Sequence, residues 1–225
     1  MPELIQQLIP AAMGLVISPL PLVAIIAIVL SPRARANGAA FAGGSILVAF
    51  VVTLVTALTT TGVGTSGGQG NDTIVLALGV VLALGFLVLA VVSWRSRPPA
   101  GTVAKAPGWL SAIDSMSAAK TFGLGVVMGI TNGKDLPLEI KAGAHIGGSH
   151  LAAGAAVGIA AAFAIAGGLA LILVTLLAAT GSPAITAALA RTKGELISHN
   201  AAIMATVFAM LFAVQLANVA HILLK

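Results

Sequence analysis

The chain has 225 residues, of which 59% are hydrophobic and only 8% charged, with a mean hydropathy of +1.10. A soluble domain is about half apolar and a quarter charged, so this composition excludes one and describes a single membrane domain of several helices. The net charge of +5 comes from scattered Lys and Arg among few aromatics, which argues against nucleic acid, and the lack of cysteine excludes disulfides, thiolate metal sites and thiol relay chemistry.

Apolar runs long enough to span a bilayer lie at residues 4–30, 37–60, 73–92, 121–146, 151–179 and 198–224. The first follows Met1-Pro2-Glu3-Leu4-Ile5, which lacks the basic n-region of a cleavable signal peptide and is therefore expected to stay as a helix. No run alternates with period two, as barrel strands would, so six transmembrane helices are expected. Arg33 and Arg35 fall in the first loop, Arg95, Arg97, Lys105 and Lys120 in or beside the third, and Arg191 and Lys193 in the fifth. The second loop, 61–72, holds no cation, and the fourth, near His150, has no Lys or Arg. The positive-inside rule then places odd loops in the cytoplasm and both termini outside, Lys225 being the one exception.

The third loop makes a linker of about residues 94–117 between halves 1–93 and 118–225. It opens on Trp94, Arg95, Arg97 and two prolines. Trp109, Leu110, Ile113 and Met116 then follow at helical spacing, as in a short helix lying on the inner leaflet. Shifting the sequence by 116 positions aligns Leu20-Pro21-Leu22 with Leu136-Pro137-Leu138, and Gly38-Ala39-Ala40 with Gly154-Ala155-Ala156. Three helices per half force the second half to be inverted. In both halves proline interrupts the first helix, at Pro19 and Pro21 and at Pro137 beside Gly133, so both helices are expected to break or kink near mid-depth. Paired interruptions in inverted repeats point to a transporter's central site. Small residues every fourth position, at Gly125, Gly129 and Gly133 and at Gly154, Gly158, Ala162 and Ala166, are expected to let helices approach closely.

Residues 132–141, Asn-Gly-Lys-Asp-Leu-Pro-Leu-Glu-Ile-Lys, put four ionisable side chains into an apolar span. Each costs about 2.5–3.5 kcal/mol at a bilayer centre, roughly 10 kcal/mol together, so the segment must face protein or a wet cavity. In a regular helix Lys134, Lys141 and His145 would share one face and Asp135 and Glu139 another. The cations could grip an anionic head group while the carboxylates titrate, Asp135 being the expected switch ahead of Glu139. The alternative is that helix four ends near Ile130 with its charges at the outer surface. Residues 122–130 alone cover only ~14 Å of a ~30 Å core, which counts against this, although Lys141 and His145 can lie outside. A metal site from Asp135, Glu139 and His145 is disfavoured by the adjacent lysines, and no cofactor is implied. His199 reads as a helix-start residue, and Gln215, Asn218 and His221 as interhelical hydrogen-bond partners.

The run from Pro19 to Ile26, followed by Leu30-Ser31-Pro32-Arg33-Ala34-Arg35-Ala36-Asn37-Gly38, resembles the first signature of the GAP/Sap family, the glycopeptidolipid- and sulfolipid-addressing proteins of the LysE exporter superfamily. Asn132-Gly133-Lys134-Asp135-Leu136 is similar to its second signature, usually Asn-Pro-Lys-Asn-Leu, and Pro107-Gly108-Trp109-Leu110 to its linker. The resemblance implies six helices in an actinobacterial-type plasma membrane and outward movement of envelope glycolipids. It gives Asn132 and Lys134 the motif positions, with Pro19 and Pro21 their partners. The chain departs at Gly133 and Asp135 and adds Pro137, Glu139 and Lys141.

The expected protein is thus a non-enzymatic secondary exporter, proton-coupled and homodimeric, for a lipid or amphipathic small molecule. Its site would comprise Pro19, Pro21, Asn132, Gly133, Lys134, Asp135, Pro137, Glu139, Lys141 and His145. Export of small ions or amino acids is the alternative within the superfamily. A scaffold for envelope-synthesis partner proteins, or an intramembrane enzyme with Asp135, Glu139 and His145 as acid and base, are others. The enzyme would need a nucleophile that the sequence does not supply.

Overall fold

The computed structural model describes residues 2–60, 69–98 and 108–224, and all regular structure among them is helical. In chain order the helices are α1 (Pro2–Val16), α2 (Pro19–Val29), α3 (Ala34–Thr60), α4 (Gln69–Arg95), a 3₁₀ helix (Gly108–Ser115), α5 (Ala118–Thr131), α6 (Asp135–Gly148), α7 (Ala153–Gly167), α8 (Leu169–Ala179) and α9 (Pro183–Leu223). Ala34–Thr60 and Pro183–Ala220 are each long and apolar enough to cross a membrane. The pairs α1–α2 and α7–α8, bent by 53° and 57°, add two more spans if each counts as one. Shorter apolar helices, Gly79–Arg95 and Ala118–Thr131, complete a pattern consistent with a multi-pass membrane protein.

The breaks do not fall where proline alone would put them. Ile17 and Ser18 separate α1 from α2, and Pro19 and Pro21 then occupy the first turn of α2. There the backbone N–H groups have no intrahelical acceptor, so a missing donor costs nothing. Pro137 has the same place in α6, three residues into the helix, while the break itself lies at Asn132, whose backbone is extended (φ −75°, ψ 96°), and Gly133. These prolines start helices rather than kink them. Gly168 divides α7 from α8 with no proline, its missing side chain leaving room for Ile46.

Three further expectations need correction. The sixth helix starts at Pro183, not near residue 198, so Arg191 and Lys193 ride on α9 and His199 lies in its interior. Residues 183–198 are rich in Ala, Leu, Arg, Lys and Glu, strong helix formers whose charges hid the helix from a search for apolar runs. The linker helix is 3₁₀, and Ile113 is buried within the protein core rather than in lipid. The Trp109 side chain, like Lys105 and Pro107, lies outside the described residues. In the fifth span Gly154, Gly158, Ala162 and Ala166 are exposed, and Ala156, Ala160, Phe163, Ala164 and Gly167 form the packed face instead.

Two compact units can be distinguished: residues 2–60 with 108–198, and 69–98 with 199–224. In the first, α3 is the spine. Gly44 of α3 and Gly125 of α5 meet so closely that a Cβ on either would overlap the other helix's backbone, at the carbonyls of Phe122 and Phe41. Gly143 and Gly147 of α6 seat against α3 in the same way at Thr53 and Ala57. Buried Ile25, Ile26, Ile28, Phe41, Ile113, Met128, Leu171 and Leu189 fill the core at one end. That end is tied by Arg35, which donates to the Ala179 carbonyl at 2.8 Å, and by Asn37, which donates to the Met116 carbonyl at 2.9 Å. The α2–α3, 3₁₀–α5 and α8–α9 connections of this unit therefore share one end. In the second unit Phe86 of α4 stacks with Phe208 of α9, ring centroids 6.2 Å apart, and Asn218 donates to Gln215 within α9 itself. The His221 side chain is outside the described residues.

Candidate functional site

Three helix breaks of the first unit converge. Ser18 from the α1–α2 break, Asp135 from the α5–α6 break and Gly168 from the α7–α8 break all line one cavity of about 40 Å3, with Pro21 and Glu139. At roughly 10–15 Å3 per water, it holds about three waters.

Asp135 is the hub. Lys134, whose side chain is 1% exposed, forms an ion pair with its Oδ1 and donates a second hydrogen bond to the carbonyl of Gly14 in the last turn of α1. Ser18 Oγ lies 3.1 and 3.0 Å from the two Asp135 oxygens and shares its single proton between them. Asn132 Nδ2 donates to Asp135 Oδ2 at 2.7 Å, and its Oδ1 accepts from the Lys134 backbone N–H at 3.3 Å. The cation thus sits at the C-terminal end of one helix and the anion at the N-terminal start of another, the sense each helix dipole favours. Charge-assisted bonds of this kind are what make a buried pair tolerable.

Of the residues singled out from sequence, Asn132, Lys134, Asp135 and Glu139 come together, and Pro21 borders the same cavity. Pro19 is buried at the start of α2 without lining it. Gly133 is exposed in the turn, and Pro137 is half-buried outside the lining. Lys141 and His145, both half-buried, lie about 10 Å or more beyond Lys134 along α6, at 1.5 Å per residue, and are not part of the cavity wall. Ser18 and the Gly14 carbonyl were not anticipated. Ser18 had a signal, since the 116-residue shift places it opposite Lys134; a backbone carbonyl has none. Among the described residues no three His, Cys, Asp or Glu side chains gather as a metal site would require.

Fold and site together define an all-helical membrane protein with a buried ion pair where broken helices meet. Residues 8–221 match the family model of Sap, sulfolipid-1-addressing protein, and the chain belongs to that family. No curated protein and no solved structure matches it.

Proposed function

We propose that the protein is a plasma-membrane secondary exporter, in the LysE superfamily, that moves an envelope glycolipid or related amphipathic metabolite outward in exchange for protons. The observation that carries this reading is the Lys134–Asp135 pair, buried in an apolar span and held by Ser18 and Gly14 across two helix breaks. An intramembrane ion pair is expensive, and at a junction of broken helices it marks a transport path. Family membership supports a lipid of the sulfolipid or glycolipid class as the cargo.

Six spans in two inverted three-helix repeats, about 1–93 and 118–225, remain the architecture we favour, with odd loops and the linker cytoplasmic and both termini outside. Support comes from register: α2 begins at Pro19 and α6 at Asp135, 116 positions apart, the same shift that aligns the two Leu-Pro-Leu motifs. Six spans enclose little volume, which favours a homodimer. A lipid-resolved comparison of cell envelopes with and without the protein, followed by flux of the missing lipid in proteoliposomes, tests the reading. Turnover of a head group by the purified protein would replace export with an enzyme; neither flux nor turnover, with a synthase co-purifying, would make the protein a scaffold.

A further inference from the structure

The cavity contains one carboxylate with an unpartnered buried oxygen. Asp135 is saturated by Lys134, Ser18 and Asn132. Glu139, one turn further along α6, also lines the cavity, is 2% exposed, and its buried Oε2 has no hydrogen-bond partner. The other walls, from α1, α2, α3, α5, α7 and α8, bring no Asp, Glu, Lys, Arg or His among the described residues. On α6 itself Lys134 is committed to Asp135 and Gly14, and Lys141 and His145 lie outside the wall. Lys134, Asp135 and Glu139 therefore sum to one negative charge when both carboxylates are ionised, and to zero when Glu139 holds a proton.

Resting on the exporter reading above, we propose that Glu139 is the proton-binding group of the coupling step, while Asp135 stays ionised as the fixed counter-ion of Lys134. A hydronium in the cavity gives its proton to Glu139 Oε2 and leaves as water on one side; the reverse transfer discharges it on the other. A metal cation would need several oxygen ligands, but the other polar side chains of the wall are engaged: Ser18 with Asp135, Asp135 with Lys134, and Ser45 with the Gly125 carbonyl. The volume also suits a proton step: about 40 Å3 holds about three waters, enough to bring a hydronium to Glu139.

Infrared titration of the purified full-length protein reads the protonated carboxyl directly. A titrating carboxylic C=O band is expected in the wild type, absent in Glu139→Gln and retained in the neutral double variant Lys134→Met with Asp135→Asn, which leaves Glu139 as the one ionisable group of the cavity wall. Persistence of the band in Glu139→Gln, its loss in the double variant, or its removal by sodium at constant pH would overturn the proposal. In proteoliposomes Glu139→Gln is expected to lose the response of flux to an imposed pH gradient. Gradient-driven lipid flux that survives in Glu139→Gln refutes the role of Glu139 and leaves the exporter standing. A Glu139-dependent band with no lipid flux in any variant refutes the exporter and leaves the proton site standing.

Discussion

At the scale of single residues, the two members of the buried pair are unequal in what their loss exposes. Lys134→Met strands Asp135 with only neutral donors, and breaking such a pair costs about 3–5 kcal/mol; Lys134→Met with Asp135→Asn should recover most of that, as read from thermal unfolding in detergent. Transport is expected to be lost in both. Ser18→Ala removes a donor to a buried carboxylate and should cost about 1–3 kcal/mol. Wild-type stability in Lys134→Met would place the lysine at the surface. Much of this cluster was legible beforehand, because four ionisable residues in an apolar span can survive only if they are enclosed. What the spacing could not show was which of them share a cavity. A common helical face puts Lys141 and His145 in line with Lys134, but distance along the axis carries them past the wall.

Helical elements were legible where apolar runs marked them and illegible where charge concealed them, as at the start of α9. Proline was misleading in a definite way: Pro21 and Pro137 flag a break a few residues upstream, because a first turn is where proline fits. Two consequences follow for substitutions. Gly133 is the turn residue that stands where the family signature has proline. The turn's hydrogen bonds come from the N–H groups of Asn132, Lys134, Asp135 and Leu136, a Cβ on Gly133 meets nothing, and Asn132 already has the extended backbone that a following proline requires. Gly133→Pro should therefore fold and gain about 0.4–1 kcal/mol by restricting the unfolded chain. Along the α3–α5 seam, Gly125→Ala should lower the melting temperature sharply, because its Cβ meets the Phe41 backbone, which cannot rotate away. Gly123→Ala, facing open space two residues away, should not.

For the molecule as a whole, the loop charges and the packing agree on one point: the connections bearing Arg33 and Arg35, the 3₁₀ helix and the α8–α9 turn gather at the same end of the first unit. The cytoplasmic side proposed for that end predicts labelling. With no native cysteine as background, Ser149→Cys should react with an impermeant thiol reagent in intact cells, and Thr192→Cys only after lysis. Labelling of Thr192→Cys in intact cells would reverse the topology. Because α9 has 41 residues, ~60 Å at 1.5 Å per residue against a ~30 Å core, it has length to reach well beyond the bilayer, and position 192 near its start is a fair reporter.

The bond from Ser18 to Asp135 joins residues 117 positions apart, and that separation is also an interval of synthesis. At ~5–20 residues per second, the first broken helix waits about 6–25 s inside the bilayer, its carbonyl at Gly14 and hydroxyl at Ser18 without their partners, before Lys134 and Asp135 leave the ribosome. The charged span in turn arrives with an insertion penalty that its bonds to the waiting helix offset in part. Insertion of the second half is therefore expected to depend on the first. Produced alone, residues 118–225 should fail to integrate and be degraded, whereas co-production with residues 1–117 should restore them to the membrane, and Ser18→Ala in the first fragment should weaken that rescue.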